Sequence, residues 1–228
     1  MSSAPLAALL AAIVEVRTLE LSNPSPTGGP PQNPPLTRAI GRACVVLLSA
    51  HLERYIHAIN EETVNVLLTA GVQSSSVPEL IRLLHLRQPI DELARTQWTG
   101  RGSKLRDLME RESALWIPNA VPTALVHDRL VEWMRSPQCE EILRYFKQWG
   151  IDDIFSAVTR QPHTRAYLWL KLSELVNKRN NIAHGDPTSE ATQADVRNYR
   201  QAVTKFCASA DSVLSRRLAR LFGLPRPW

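Results

Sequence analysis

Glycine is scarce in this sequence, with nine residues in 228 against an average of about 7%. No run of about 18 apolar residues occurs, so no segment has the pattern of a membrane-spanning helix. The three cysteines, Cys44, Cys139 and Cys207, are widely spaced and odd in number, which excludes a disulfide framework and favours a reducing compartment. The charge is only mildly unbalanced, since 27 Lys and Arg oppose 22 Asp and Glu. These features exclude disordered, collagen-like and disulfide-stapled classes and leave a globular chain with a core of its own.

Sequence motifs of the common enzyme classes are also missing. The six histidines are scattered, and neither HExxH nor CxxC occurs, so we predict no metal site. The sequence contains neither of the usual glycine-rich phosphate loops, GxxxxGK[ST] and GxGxxG, and no GxSxG nucleophile elbow. We therefore expect no cofactor, and neither nucleotide hydrolysis nor serine hydrolysis of the familiar kinds.

Long stretches rich in Leu, Ala, Arg and Glu carry apolar residues at the spacing of a helix. This pattern predicts an all-α fold. The middle of the chain is the hardest to interpret, and there we expect short helices and loops, with Ser103 capping one helix. The predicted helices cover 4–21, 37–70, 78–85, 103–112, 122–135, 137–148, 162–182 and 188–221.

A proline-rich stretch divides the chain near its beginning. Six prolines and a Gly-Gly pair fall within residues 23–36, and no helix or central strand absorbs such a segment. We therefore predict an N-terminal helical arm at 1–22, a linker at 23–36, and a helical bundle at 37–228 with a helical insertion at about 87–160. The opening segment has no Lys or Arg before Arg17, which is not the pattern of a secretory signal, so we expect a cytoplasmic protein with no membrane contact.

Polar residues concentrate at the end of the penultimate predicted helix, in the segment 178–186. On a helix Asn180 and His184 share a face, and Arg179 lies about 100° to one side of Asn180. Arg holds a phosphate with two hydrogen bonds, and His moves protons near neutral pH. Together they suit cleavage of RNA, in which the ribose 2′-OH is the nucleophile and no metal is needed. The same residues also suit plain helix termination, because the helix dipole favours Arg and His there and Gly185 ends a helix.

The segment from Arg179 to His184 resembles the RxxxxH motif of the HEPN superfamily. A second block, residues 36–55, resembles the long early helix of the RiboL-PSP-like HEPN branch. The resemblance covers about residues 37–220, and these two blocks are its specific parts. It implies a helical bundle that forms a homodimer with the two motif helices facing each other. It also implies a composite, metal-independent endoribonuclease site that leaves 2′,3′-cyclic phosphate and 5′-hydroxyl ends.

The resemblance assigns roles to individual residues. Arg179 would bind and polarise the scissile phosphate, His184 would be the general acid or base, and Asn180 would orient one of them. Lys178 is a further candidate for holding the substrate. Glu53 is either a carboxylate of the site or a solvated partner of a nearby arginine such as Arg54.

One position departs from part of the superfamily. HEPN toxins that are paired with a nucleotidyltransferase antitoxin have a tyrosine two residues after the histidine, and here that residue is Asp186. Neutralisation by modification of that tyrosine is therefore not expected. The resemblance implies RNA as substrate, a role in bacterial defence or a toxin-antitoxin pair, and an antitoxin or defence protein as partner. The alternative is a non-catalytic HEPN module for RNA binding or protein interaction.

Two other features allow more than one interpretation. The C-terminal arginines with Trp228 fit either a grip on an RNA backbone or a solvated helix end. The six tryptophans fit anchors in the core or an interface, and the alternative is base stacking.

Overall fold

The computed structural model describes residues 2–22, 33–123 and 125–228. Within these ranges the secondary structure consists of eight α-helices and short 3₁₀ turns, with no strand, which confirms the all-α prediction. The helices are α1 (Ala4–Leu21), α2 (Pro34–Thr69), α3 (Glu79–Arg95), α4 (Trp98–Glu112), α5 (Cys139–Gln148), α6 (Ile154–Val158), α7 (Pro162–Ala183) and α8 (Gln193–Phe222).

Helix α2 begins earlier than predicted, inside the segment assigned to the linker. The Asn33 side chain accepts a hydrogen bond from the backbone N–H of Leu36 at 3.2 Å, which caps the helix. Pro34 and Pro35 occupy the first turn. Backbone N–H groups there have no partner within the helix, so proline costs no hydrogen bond at these positions. The predicted linker therefore extended too far at its C-terminal end, and the rest of it, residues 23–32, lies outside the described residues.

Helix α1 packs along α2 and against α8 and contributes to the common core. At its start, Ser3 donates through its backbone N–H and its hydroxyl to the Asp211 carboxylate on α8. At its end, the buried Glu20 accepts from Arg200 of α8 at 2.9 Å. Both ends of the segment predicted as an arm are thus bound to the last helix. Its buried apolar side chains are Leu6, Leu9, Ile13 and Val16.

The long helices α2, α7 and α8 form the centre of the molecule. Gly41 lets α2 approach the chain just before α8, since a Cβ there would collide with the Ala191 carbonyl oxygen. Tyr55 of α2 is buried and donates through its hydroxyl to the Cys207 carbonyl at 3.1 Å. All three cysteines are buried, as expected of small hydrophobic side chains. The position of α2 against α7 matters most for the site.

Helix α3 is longer than predicted because it continues through Pro89 to Arg95. A proline inside a helix leaves the carbonyl four residues earlier without its usual partner. Here that carbonyl belongs to His85, and it accepts a hydrogen bond from Arg129 at 3.4 Å. A tertiary contact thus compensates for the missing N–H. Helix α4 also starts early, at Trp98, so Ser103 lies inside it and is not a cap.

The predicted helix at 122–135 is wrong. Among the described residues of this segment, the helical structure is limited to a 3₁₀ turn, His127–Leu130. Side chains of α3 and α2 form hydrogen bonds with backbone groups that a helix would use. The Val126 N–H donates to His85 Nε2 at 2.9 Å, and Asn60 donates to the His127 carbonyl at 2.7 Å. The short helix α6 was not predicted, and α5 starts two residues later than expected, at Cys139.

Helix α8 starts at Gln193, later than predicted, because Thr192 and Asp195 form a reciprocal capping box. The chain then folds back after α8, and the buried Trp228 donates through its indole N–H to the Asp211 carbonyl at 3.1 Å. The C-terminal arginines therefore have no exposed ring from Trp228 beside them for stacking a base. No helix in the described ranges is both long and apolar enough to cross a membrane.

Candidate functional site

The predicted motif lies where α7 ends, and the chain leaves the helix through a Schellman motif. Gly185 adopts a left-handed conformation with φ of 81°. Its N–H donates to the Ile182 carbonyl at 3.1 Å, and the next N–H, of Asp186, donates to the Asn181 carbonyl at 3.0 Å. This hydrogen-bond pattern satisfies the last carbonyls of the helix. It fixes His184 as the C-cap residue, one position beyond the last helical residue.

The Arg179 guanidinium lies between two oxygen-bearing side chains. Its Nη1 donates to the Asn180 side-chain oxygen at 3.1 Å. Its Nη2 lies 3.7 Å from a carboxylate oxygen of Glu53 on α2, and both of these charged side chains are 31% exposed. The structure thus brings together three predicted residues from two helices. It also shows which arginine Glu53 pairs with: Arg179, not its neighbour Arg54.

His184 is exposed at the end of α7. Its backbone N–H donates to the Asn180 carbonyl at 2.9 Å, so the i, i+4 relation predicted for these two residues persists at the cap. Within the described ranges its imidazole forms no hydrogen bond and no ion pair. The ring is therefore available to a ligand, and it lies one helical turn from the Arg179–Asn180 pair.

Lys178 points to a different side of α7 from Arg179, towards α8. Its ammonium donates to the Glu190 carbonyl and lies 4.0 Å from an Asp195 carboxylate oxygen. Two consecutive basic residues of the motif segment thus point to different neighbours, because consecutive side chains on a helix are about 100° apart. Lys178 does not join the group formed by Arg179, Asn180 and Glu53.

The loop after the motif is fixed by Arg42, which we did not single out from the sequence. Its guanidinium donates to the carbonyls of Asp186 at 2.9 Å and Ser189 at 3.2 Å. Arg42 and Glu53 are eleven residues apart on α2, about three turns, so they share a face. This spacing could have identified Arg42 from the sequence, because it places Arg42 on the same side of α2 as Glu53, the side that packs against α7 and the following loop.

The Asp186 carboxylate is engaged within its own loop. It accepts from the Thr188 backbone N–H at 2.8 Å and from the Thr188 hydroxyl at 2.7 Å. The hydroxyl hydrogen bond is the main cause that holds the pKa of Asp186 below its usual value. Asp186 is thus ionised at neutral pH and is turned into the loop by Thr188.

Metal ligands are not grouped in the part of the chain that the structure describes. There, no three side chains of His, Cys, Asp or Glu come close enough to hold an ion. The side chains at the end of α7 that the structure brings together are a cation, an amide and a carboxylate, and His184 follows one helical turn after Asn180. This combination can bind an anionic oxygen and transfer a proton.

Comparison with protein-family models gives a match to the model described as RiboL-PSP-HEPN, over residues 10–216. The matched region begins inside α1 and reaches the last turns of α8, so it includes both helices that form the site. No curated protein and no solved structure matches the chain.

Proposed function

The chain belongs to the RiboL-PSP-HEPN family, and from this membership and the site at the end of α7 we propose that it is a metal-independent endoribonuclease. The observation that carries the proposal is a guanidinium held between the Asn180 amide and the Glu53 carboxylate, one turn from the exposed imidazole of His184. The proposed setting is the cytoplasm of a bacterium, as a toxin or antiviral-defence effector, together with an antitoxin or defence protein.

The reaction uses the ribose 2′-OH of the substrate as nucleophile. The 2′-oxygen forms a bond to phosphorus, the bond between phosphorus and the 5′-oxygen breaks, and the 2′-proton leaves while the 5′-oxygen gains one. Arg179 binds the phosphate and stabilises the charge that develops on its oxygens. His184 transfers one of the two protons. Asn180 keeps the guanidinium oriented, because its side-chain oxygen accepts from Nη1.

A homodimer is part of the proposal because one protomer supplies a single Arg179 and a single His184. Four exposed apolar residues, three alanines and a valine, recur at helical spacing on α2, on the side that leads to Glu53. A surface of this kind lets a second copy approach closely and place its motif helix opposite the first. These residues are Ala39, Ala43, Val46 and Ala50.

The test is cleavage of end-labelled RNA in excess EDTA by the wild type and by His184→Ala. We expect products with 2′,3′-cyclic phosphate ends from the wild type and a loss of at least about 100-fold in rate for the variant. His163→Ala is the matched control, because His163 is exposed in the first turn of the same helix. Cleavage that needs a metal, or that His184→Ala retains, would overturn the proposal.

The second candidate is a non-catalytic module that binds RNA or a protein. The observation in its favour is the ion pair itself, because a carboxylate 3.7 Å from the guanidinium competes with a phosphate for Arg179. Binding of RNA by the wild type without cleavage would favour this function over the enzyme.

A further inference from the structure

An open cleft lies away from the candidate site, between α3 and the segment that leads into α5. Its volume is 490 Å³, and four arginines line it: Arg87 and Arg95 of α3, Arg135, and Arg144 of α5. Trp133 lies among them. We call this the arginine cleft. None of its residues belongs to the site at the end of α7.

The four guanidinium groups are exposed and uncompensated by close ion pairs. In the described ranges none of them lies within 4.0 Å of a carboxylate oxygen. Like charges that share a cleft repel one another unless anions lie between them. The arrangement thus fits a ligand with several phosphate groups, such as a nucleic-acid backbone.

Trp133 adds an aromatic surface to these charges. Its indole N–H donates to the Leu130 carbonyl at 2.9 Å, which fixes the ring, and the Arg144 guanidinium lies 4.1 Å from the ring centroid. The ring is half-buried. The guanidinium thus covers a face of the ring, and the planar Arg144 guanidinium offers its outer face to an unpaired base, because bases stack on guanidinium planes as well as on aromatic rings.

Three carboxylates also line the cleft, those of Asp91, Glu92 and Glu132. They lower its net charge, so long-range attraction of a polyanion is weak and contacts at short range decide binding. Carboxylates accept hydrogen bonds from N–H groups on the Watson–Crick edge of a base, such as N3–H of uracil, and base pairing occupies that group. The mixture of groups therefore favours a single strand over a duplex.

We propose that the arginine cleft is an accessory site for single-stranded RNA, in which Arg87, Arg95 and Arg135 bind phosphates and a base stacks on the Arg144–Trp133 pair. The identity of the ligand as RNA rests on the proposed function. The proposal that the cleft binds a polyanion depends only on the residues that line it. In the proposed enzyme, the cleft binds a stretch of substrate outside the site at the end of α7.

The test uses the full chain with His184→Ala, so that RNA stays intact, and measures binding of fluorescein-labelled oligouridine by anisotropy over a range of salt concentrations. The cleft variant is Arg95→Gln with Arg135→Gln. The control is Arg106→Gln with Arg160→Gln, which removes the same charge from exposed positions outside the cleft. We expect the cleft variant alone to bind at least about tenfold more weakly, with a salt slope smaller by about 1.4, because each phosphate contact on a single strand contributes about 0.7.

Trp133→Leu separates stacking from charge. It should weaken oligouridine binding at least about fivefold and leave the salt slope unchanged, with thermal unfolding measured alongside to show that the variant is folded. Equal affinity and equal slope for the cleft and control variants would overturn the proposal, as would equal binding of duplex and single-stranded RNA. If the cleft variant weakens binding but the wild type never cleaves RNA, only the proposed function fails. If the wild type cleaves and the cleft variant binds normally, only this inference fails.

Discussion

At the scale of single residues, the Glu53–Arg179 contact is the feature that the sequence left open. A carboxylate on α2 and a guanidinium on α7 are 126 positions apart in the chain, and the packing of the two helices places them 3.7 Å from each other. Both side chains are partly exposed, so the pair contributes little to stability, about 0 to 1 kcal/mol. The pair instead affects phosphate binding, because the negative charge of Glu53 offsets part of the positive charge that Arg179 offers to a phosphate.

Replacement of Glu53 by Gln should therefore strengthen RNA binding and leave the fold intact. With the negative charge removed, the affinity of Arg179 for a phosphate rises about threefold to tenfold, the effect of a unit charge several ångströms away in a solvated site. RNA binding in the His184→Ala background measures this. Glu61→Gln, an exposed position further along α2, is the control. Weaker binding by Glu53→Gln would show that the carboxylate orients Arg179 more than it competes with the phosphate.

At the scale of elements, the end of α7 depends on one backbone conformation. Gly185 has φ of 81°, a value that costs other residues about 1 kcal/mol. The hydrogen bonds of the Schellman motif keep His184 at the cap. The position of the imidazole is thus determined by how the helix ends.

Gly185→Ala should lower the free energy of unfolding by about 1 kcal/mol and reduce RNA cleavage more than this loss of stability explains. Chemical denaturation and the EDTA cleavage assay measure the two effects. Gly102→Ala is the control, because Gly102 lies inside α4 with open space around it; alanine there should be neutral or stabilising. A variant at Gly185 with full activity would show that the cap does not position His184.

A second element-scale feature joins α3, the end of α4 and the turn at 127–130. The buried His85 accepts from the Val126 N–H through Nε2, so its proton resides on Nδ1, which lies 2.8 Å from a Glu112 carboxylate oxygen. Arg129 lies 2.9 Å from the other oxygen of Glu112. Burial, the largest cause, lowers the pKa of His85, so the folded protein holds this ring neutral.

Stability should therefore fall as the pH drops below about 6.5, the usual pKa of histidine. In that range the unfolded chain binds a proton that folded His85 does not, so the free energy of unfolding decreases with decreasing pH. Urea denaturation between pH 7 and pH 5 measures the slope. His85→Gln keeps an acceptor for Val126 and should show a shallower slope. Identical slopes for the two proteins would assign the pH dependence to other groups.

At the scale of the whole molecule, α8 forms hydrogen bonds with residues near both ends of the chain. Asp211 binds Ser3 through its carboxylate and Trp228 through its carbonyl, and Ser215 donates to the Trp228 carbonyl at 2.6 Å. Burial raises the pKa of Asp211, and the hydrogen bond from the Ser3 hydroxyl opposes that rise. The first and last residues of the fold are thereby coupled through one helix.

Trp228→Ala should destabilise the protein by about 3 kcal/mol, the typical loss for a buried aromatic side chain, and the loss should appear as a lower midpoint in thermal or urea denaturation. Trp98→Ala is the control, since that ring is 81% exposed and its loss should change stability by less than about 0.5 kcal/mol. Equal effects of the two substitutions would mean that the C-terminal residues do not contribute to the cooperative fold.

The proposed dimer gives a prediction at the same scale. Val46→Glu puts a charge on the exposed apolar surface formed by the three alanines and Val46 of α2. It should convert a dimer to monomers, with loss of cleavage and little change in the stability of the protomer. Sedimentation of wild type and variant measures the oligomeric state. Leu83→Glu, at an exposed position of α3, should leave it unchanged. A wild type that sediments as an active monomer would contradict a composite site.

The class of fold, the position of the motif and most of the long helices could be predicted from the sequence, because they follow from local periodicity, scarce glycine and short spacings along one helix. The helix at 4–21 and the penultimate helix were predicted almost to the residue. The exact ends of α3 and the absence of the predicted helix at 122–135 depend on contacts between residues that are distant in the chain. Arg129 compensates for the N–H that Pro89 lacks, so α3 continues. His85 and Asn60 form hydrogen bonds with backbone groups of the described part of 122–135, and a helix there would need those groups for itself. The pairing of Glu53 with Arg179, without Lys178, also follows from the tertiary structure. Which sides of two packed helices contact each other depends on the packing of the whole core.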